Sequence, residues 1–169
     1  TLGIIGFGRI GQEVAKIGLG VGMNVIATDK YMDAAEIEVS LFNGASLKVS
    51  IETTTMGHVL EQSDFISLHV PAQKDYVIGK KELGMMKDGS VIINAARGGV
   101  VDEVALVDAL ESNKLAFACL DTFENEPLPE VKLLMHPKIS LTPHIGAATL
   151  EAQDRIGVEL GEQIISILG

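Results

Sequence analysis

Tryptophan is missing from this chain of 169 residues, and aromatic residues of all kinds make up only 4% of it. Its core must therefore be built from Val, Ile, Leu and Ala, the residues of strands buried on both faces of a parallel sheet. Cysteine occurs once, as Cys119 inside an apolar run. That excludes an intramolecular disulfide framework and points to a buried, inert thiol. Arginine occurs at Arg9, Arg97 and Arg155 alone, no run of Lys or Arg exists, and the net charge is −10. This balance argues against a nucleic-acid partner. No apolar stretch reaches the roughly 18 to 20 residues that a membrane span needs, and no signal peptide is present, so no membrane partner and a cytoplasmic location are expected. No His/Cys/Asp/Glu spacing fits a metal site, and Ser63, Ser67 and Ser90 lie in no nucleophile elbow.

What the chain does have begins at once. Leu2-Gly3-Ile4-Ile5 runs directly into Gly6-Phe7-Gly8-Arg9-Ile10-Gly11, an apolar strand followed by G-x-G-x-x-G. That spacing brings a pyrophosphate against backbone. Gly6 permits the tight turn, Gly8 removes a side chain where phosphates approach, and Gly11 lets the next helix pack closely on the strand. Strand and helix patterns then alternate along the chain. Strands are expected at residues 2–6, 24–28, 47–51, 65–69, 90–94, 115–120 and 139–141. Helices are expected from Arg9 with Val14, Ala15 and Ile17 inward, after Asp33 with Ile37, Leu41 and Phe42, after Thr55, after Asp102, and from Thr149. The last places Ala152, Ile156, Leu160, Ile164 and Leu168 on one face. The expected architecture is α/β: a doubly wound, mostly parallel sheet of about seven strands, of Rossmann type, forming one domain over residues 1–169. A start on a core strand without an initiator Met, and an end on an apolar helix, point to a domain of a longer protein.

Several polar residues fall where such sheets place ligands, at the carboxyl ends of strands. Asp29 ends the second strand, 18 residues after Gly11, where a carboxylate accepts the ribose hydroxyls of adenosine and repels a 2′-phosphate. This favours NAD over NADP, although Lys30 beside it would tolerate phosphate. Arg9 stands at a helix start, against the dipole unless an anion is present. Further along, Arg97, Asp121, Glu126 and His144 follow successive strands. An Arg, a carboxylate and a His beside a nicotinamide are what reduction of a 2-keto acid requires: a proton donor near neutral pH, a partner that fixes its tautomer, and a cation for the carbonyl or carboxylate. His58 and His136 read as surface and loop residues, and His69 as structural or adjacent to adenosine.

At these residues the chain resembles the D-isomer-specific 2-hydroxyacid dehydrogenases. The resemblance is carried by residues 1–11, 63–71, 94–103, 121–127 and 143–147, and within the family residues 146–153 look most like the 3-phosphoglycerate dehydrogenases of serine biosynthesis. It implies NAD as cofactor and hydride transfer to or from a D-2-hydroxy or 2-keto acid. Arg97 would orient the substrate, His144 would act on the C2 oxygen and Glu126 would hold His144. Asp121 would hold the nicotinamide carboxamide and Arg9-Ile10 the pyrophosphate. His69, Val70, Pro71, Ala95, Ala96, Arg97, His144 and Gly146 would complete the cofactor surface with Gly6, Gly8, Gly11 and Asp29. It also implies a homodimer through this domain, and a substrate-binding lobe that is absent from this chain. After Pro71, residues 72–79 are short and lack the Thr usual in that loop. The competing reading is an NAD-sensing module like the corepressors that share this fold.

Overall fold

The opening apolar run forms an interior strand of a parallel sheet, with every residue of β1 (Leu2–Ile5) buried. The computed structural model describes residues 1–168. In chain order, β1 is followed by α1 (Arg9–Gly20), β2 (Val25–Thr28), β3 (Ala34–Ser40), β4 (Ser46–Glu52), α2 (Met56–Gln62) and β5 (Phe65–Leu68). Then come α3 (Lys80–Met85), β6 (Ser90–Asn94), α4 (Glu103–Glu111), β7 (Leu115–Leu120), α5 (Val131–Leu134), β8 (Ile139–Leu141) and α6 (Leu150–Leu168). Six strands form one sheet in the order β2-β1-β5-β6-β7-β8, and all its neighbours are parallel. The chain moves from β1 to β2 on one side and resumes with β5 on the other, so the strand order reverses at β1. Open sheets of this kind bind ligands at that reversal.

Because the sheet is covered on both faces, neighbours along β1 enter different cores. Ile4 packs with Ala15, Val25, Ala27, Ile37 and Ile51. Ile5 joins the larger cluster with Leu60, Ile66, Leu68, Ile92 and Leu106. The cores are aliphatic, as the shortage of aromatics requires. Thr55 and Asp102 cap α2 and α4 as expected, accepting hydrogen bonds from the amides of His58 (3.2 Å) and Ala105 (3.0 Å).

Four expectations need correction. Residues 34–40 form a strand, not a helix, and pair antiparallel with β4 as a separate hairpin. Ile37, Leu41 and Phe42 fit helical spacing, but Ile37 and Val39 also alternate with Glu36 and Glu38, and this shorter period prevails over the segment. Gly44 at φ +83° supplies the turn. The main sheet consequently has six strands, because the expected strand at residues 47–51 lies in the hairpin. Ile17 is exposed: the inward stripe of α1 is Gly11, Ala15 and Gly18, small residues that bring the helix close to the sheet. Cys119 is only half-buried, and burial pushes its thiol pKa up. The short helices α3 and α5 were not expected at all. Along α6 no described residue is buried, so the apolar face read from its spacing is uncovered. No described helix is long and apolar enough to cross a membrane.

The glycines of α1 differ in what surrounds them. A Cβ on Gly11 would collide with the carbonyl oxygen of Gly6, whereas one on Gly20 would meet nothing within 4 Å. Gly11→Ala should therefore lower the unfolding free energy by about 1–3 kcal/mol. Gly20→Ala should leave it unchanged or raise it by up to about 1 kcal/mol. Urea unfolding of the two variants beside the parent checks both.

Candidate functional site

The glycine loop is held open from below. Gly6 takes φ +94°, and a Cβ there would press on the backbone of His69 at 2.6 Å. Gly8 is different: nothing lies within 4 Å of where its Cβ would be, so a ligand can approach that backbone. Gly8 is also the N-cap of α1 and contributes no side-chain hydrogen bond to it. The first amides of α1, at Arg9 and Ile10, are thus left for an anion. Gly6, Gly8, Asp29, His69, Val70 and Pro71 line one cleft of about 840 Å³ at the reversal of strand order. Lys30, Tyr31 and Lys74 also line it.

Asp29 does more here than its spacing reveals. One carboxylate oxygen accepts from the amide of Phe7 (2.6 Å), and the other from those of Tyr31 (2.8 Å) and Met32 (3.2 Å). It therefore fastens the glycine loop to the end of β2. Arg9 is exposed and forms a two-pronged ion pair with Glu159 of α6, at 2.8 and 3.0 Å. The chain itself supplies the anion that an arginine at a helix start needs. Ile10 is exposed beside it. His69 shares a 2.9 Å hydrogen bond with Ser67, and burial pushes its pKa down, which favours the neutral imidazole.

The second group sits along the ends of β6, β7 and β8. Asn94, buried at the end of β6, accepts from the amide of Ala96 (3.1 Å) and donates to the carbonyl of Arg97 (3.1 Å). This shapes the turn that presents Arg97. The guanidinium is exposed and donates to the carbonyl of Ala96 at 2.6 Å. Ala95 and Asp121 line a smaller cleft of about 150 Å³ over the ends of β6, β7 and β8.

Asp121, 8% exposed, accepts three hydrogen bonds: from the Thr142 hydroxyl (2.6 Å) and from the amides of Ile145 (2.9 Å) and Gly146 (2.8 Å). These partners bracket His144, whose backbone is held at φ +53°, uncommon for a residue with a side chain. Burial pushes the Asp121 carboxyl up, but the Thr142 hydroxyl and the two amides outweigh it and hold the group below the ordinary aspartate range. His144 Nδ1 lies 2.7 Å from Glu126 Oε2. The other oxygen of Glu126 accepts from the amide of Phe123 at 2.9 Å. The contact with His144, followed by that amide, holds Glu126 below the usual glutamate range. With Nδ1 so engaged, Nε2 is the ring nitrogen left to exchange a proton with a ligand.

Of the sixteen residues expected to touch a cofactor or substrate, the structure places fourteen along the carboxyl edge of one sheet, toward its two ends. Gly11 lies beneath that edge and Gly146 in the loop Asp121 holds. Arg97 follows β6 and His144 follows β8, on either side of β7 in the sheet. His58 is exposed on α2, and His136 accepts from the Lys138 amide in its loop. Among the described residues no group of three or more His, Cys, Asp or Glu could hold a metal ion. Sequence reasoning missed Asn94 and Thr142 as anchors. An Asn before Ala-Ala-Arg-Gly-Gly is a recognisable side-chain-to-backbone turn signal, but nothing marks Thr142 ahead of the fold.

Comparison with known proteins gives a consistent result. The family model described as D-isomer specific 2-hydroxyacid dehydrogenase, NAD binding domain, matches residues 1–146. A hydroxypyruvate reductase of Thermotoga maritima is 45% identical over the whole chain, which spans 53% of that protein. A D-3-phosphoglycerate dehydrogenase of Methanocaldococcus jannaschii is 41% identical over 99% of the chain and 31% of its own length. Among solved structures, the D-lactate dehydrogenase from Aquifex aeolicus complexed with NAD and lactic acid is 32% identical. It has a TM-score of 0.76 and covers 99% of this chain and 53% of that one. The chain therefore spans about half or less of the length of the relatives it matches.

The His144–Glu126 contact has a measurable signature. In His144→Gln, the Glu126 carboxyl should titrate at a higher pH than in the parent, followed by carbon-detected NMR. Because the folded value is depressed, the contact favours the folded arrangement above the ordinary glutamate range and loses that contribution as pH falls through the lowered value. An unchanged titration would show that the contact is not made in solution.

Proposed function

This chain belongs to the D-isomer-specific 2-hydroxyacid dehydrogenases, as their NAD-binding domain, and from that premise we propose that it carries the proton-handling half of hydride exchange between NAD(H) and a small D-2-hydroxy acid. The observation that supports this most is the 2.7 Å His144–Glu126 pair on a loop pinned by Asp121 at the carboxyl edge of the sheet.

The residues present fit the cofactor. Open space at Gly8, unpartnered amides at the start of α1 and a carboxylate at the end of β2 suit a pyrophosphate and an adenosine ribose respectively. Arg9 and Ile10 would face the phosphates, with His69, Val70 and Pro71 along the opposite wall. Ala95, Ala96 and Gly146 would border the nicotinamide. A carboxylate offers about four acceptor positions, and three on Asp121 are taken by its own loop, which leaves one for a carboxamide N–H. When bound, NAD supplies a hydride acceptor or donor.

The protein's part is to hold the substrate and move the proton. Arg97 would grip the carboxylate and polarise the C2 carbonyl, as its planar fork suits. His144 Nε2 would give a proton to the C2 oxygen in reduction and take it back in oxidation. Glu126, ionised, would stabilise the imidazolium and keep Nδ1 protonated. We read the substrate as hydroxypyruvate or its 3-phosphate, which share the carboxylate and the 2-keto group that Arg97 and His144 would engage. The remainder of the protein would supply a substrate-binding lobe, and the working form would be a homodimer, placed in the cytoplasm.

The full-length protein should reduce hydroxypyruvate or 3-phosphohydroxypyruvate faster than glyoxylate or pyruvate. His144→Ala should lower kcat by about 10²–10⁴-fold, the usual contribution of a general acid or base, while NADH binding by fluorescence stays intact. Turnover unaffected by this change would sink the reading. The chain alone should bind NADH no tighter than the micromolar range and turn over poorly, since on this reading a further lobe would close the site.

A further inference from the structure

We propose that Glu103 is a positioning residue that sets the geometry of the Glu126–His144 pair through a reciprocal clasp with Glu124; the proposal rests on the reading of that pair as the proton-handling centre.

Glu103 is the first residue of α4 and is only 8% exposed. One of its oxygens accepts from the amide of Glu124 at 2.8 Å, and a carboxylate oxygen of Glu124 accepts from the amide of Glu103 at 3.1 Å. Two acidic side chains 21 residues apart thus each satisfy the backbone of the other. Asp102 caps α4 through the Ala105 amide and Glu124 takes the Glu103 amide, but the return bond from the Glu124 amide to the Glu103 carboxylate satisfies no helix donor. The place is also unfavourable for a carboxylate. Burial pushes the Glu103 pKa up, the Glu124 amide opposes that shift, and the charges of Glu124, Glu130 and Glu126 reinforce it. A buried carboxylate near others of its kind is costly, and here the Glu124 amide offsets part of that cost.

What depends on it is the loop between β7 and α5. Phe123, next to the clasped Glu124, donates its amide to Glu126, and Glu126 holds His144. The carbonyl of Phe123 lies so close to Gly98 that no Cβ would fit there, and Gly98 directly follows Arg97. The Tyr76 hydroxyl secures the outer oxygen of Glu124 at 3.2 Å. In the same loop Thr122, 1% exposed, has a hydroxyl with no hydrogen-bond partner among the described residues. The clasp therefore joins the segment that presents Arg97 to the segment that presents Glu126. It fixes the direction of the Phe123 amide and, through it, the carboxylate against His144.

The test is amide hydrogen exchange and carboxyl titration by NMR on this chain without cofactor. In Glu103→Ala the amides of Phe123 and Glu124 should exchange about tenfold faster or more, the scale of one lost hydrogen bond to a charged group. Relative to Glu103→Gln, which removes the same charge, the Glu126 titration in Glu103→Ala should move up in pH, while the amides of Ile4 and Ile66 in the sheet keep their protection. Glu103→Gln retains an acceptor oxygen and should restore most of the protection at Phe123. If Glu103→Ala does not fold, Glu124→Ala breaks the clasp from its exposed side and should also raise the Glu126 titration. A purely structural role would speed every core amide together and spare no region; that result, or an unmoved Glu126 in the folded variant, overturns the proposal. None of these readouts uses NADH or turnover, so failure of the functional reading and failure of the clasp are separately visible.

Discussion

The carboxylate of Asp121 joins the end of β7 to the loop beyond β8, and the geometry of the polar site follows from that bond set. The loop over residues 142–146 has no regular structure, is exposed, and contains a histidine in the left-handed region. Left to itself such a segment would sample many conformations, at about 1–2 kcal/mol of backbone entropy per residue fixed. Three hydrogen bonds to one buried, ionised acceptor select one of them. Only then does His144 meet Glu126.

The same device recurs at each strand end that matters. Asp29 fastens the glycine loop to β2, Asn94 folds the turn before Arg97, Asp121 secures the His144 loop, and Glu126 ties its own loop to the imidazole. Asp29, Asn94 and Asp121 stand at or just beyond strand ends, Glu126 within the loop after β7, and each side chain captures at least one backbone amide of a loop. The sheet provides precision and the carboxyl or amide groups transfer it to the loops. This is why an acidic chain with net charge −10 can offer a site for anions. The attraction comes from the unpartnered amides at the start of α1 and from Arg97, while much of the nearby negative charge is already spent on backbone N–H groups.

The positions of the strand ends were legible in the sequence, because buried parallel strands read as apolar runs closed by a polar residue. Gly6, Gly8 and Gly11 declared the turn, and Arg97, Glu126 and His144 stood out as chemistry-bearing residues just after strands. The hairpin was not legible: over seven residues, Ile37 and Val39 satisfy a strand while Ile37, Leu41 and Phe42 satisfy a helix, and only packing against α1 and β2 decides. Nor could the anchoring roles be read. Asp29 and Asp121 were marked as ligand contacts, yet most of their acceptor capacity serves backbone amides. Thr142, Glu103 and Glu124 carry no local signal, since their partners lie about twenty residues away. Such roles belong to tertiary structure.

On the proposed function, the cleft at the glycine loop and the cleft beside Asp121 are two ends of a single dinucleotide site. Amide chemical-shift mapping during an NADH titration of this chain tests it most directly. The amides of Gly8, Arg9 and Ile10 and those of Ala95, Ala96, Ile145 and Gly146 should shift together with one midpoint, while residues 41–47 of the hairpin stay still. Shifts confined to one cleft, or two midpoints, would contradict it.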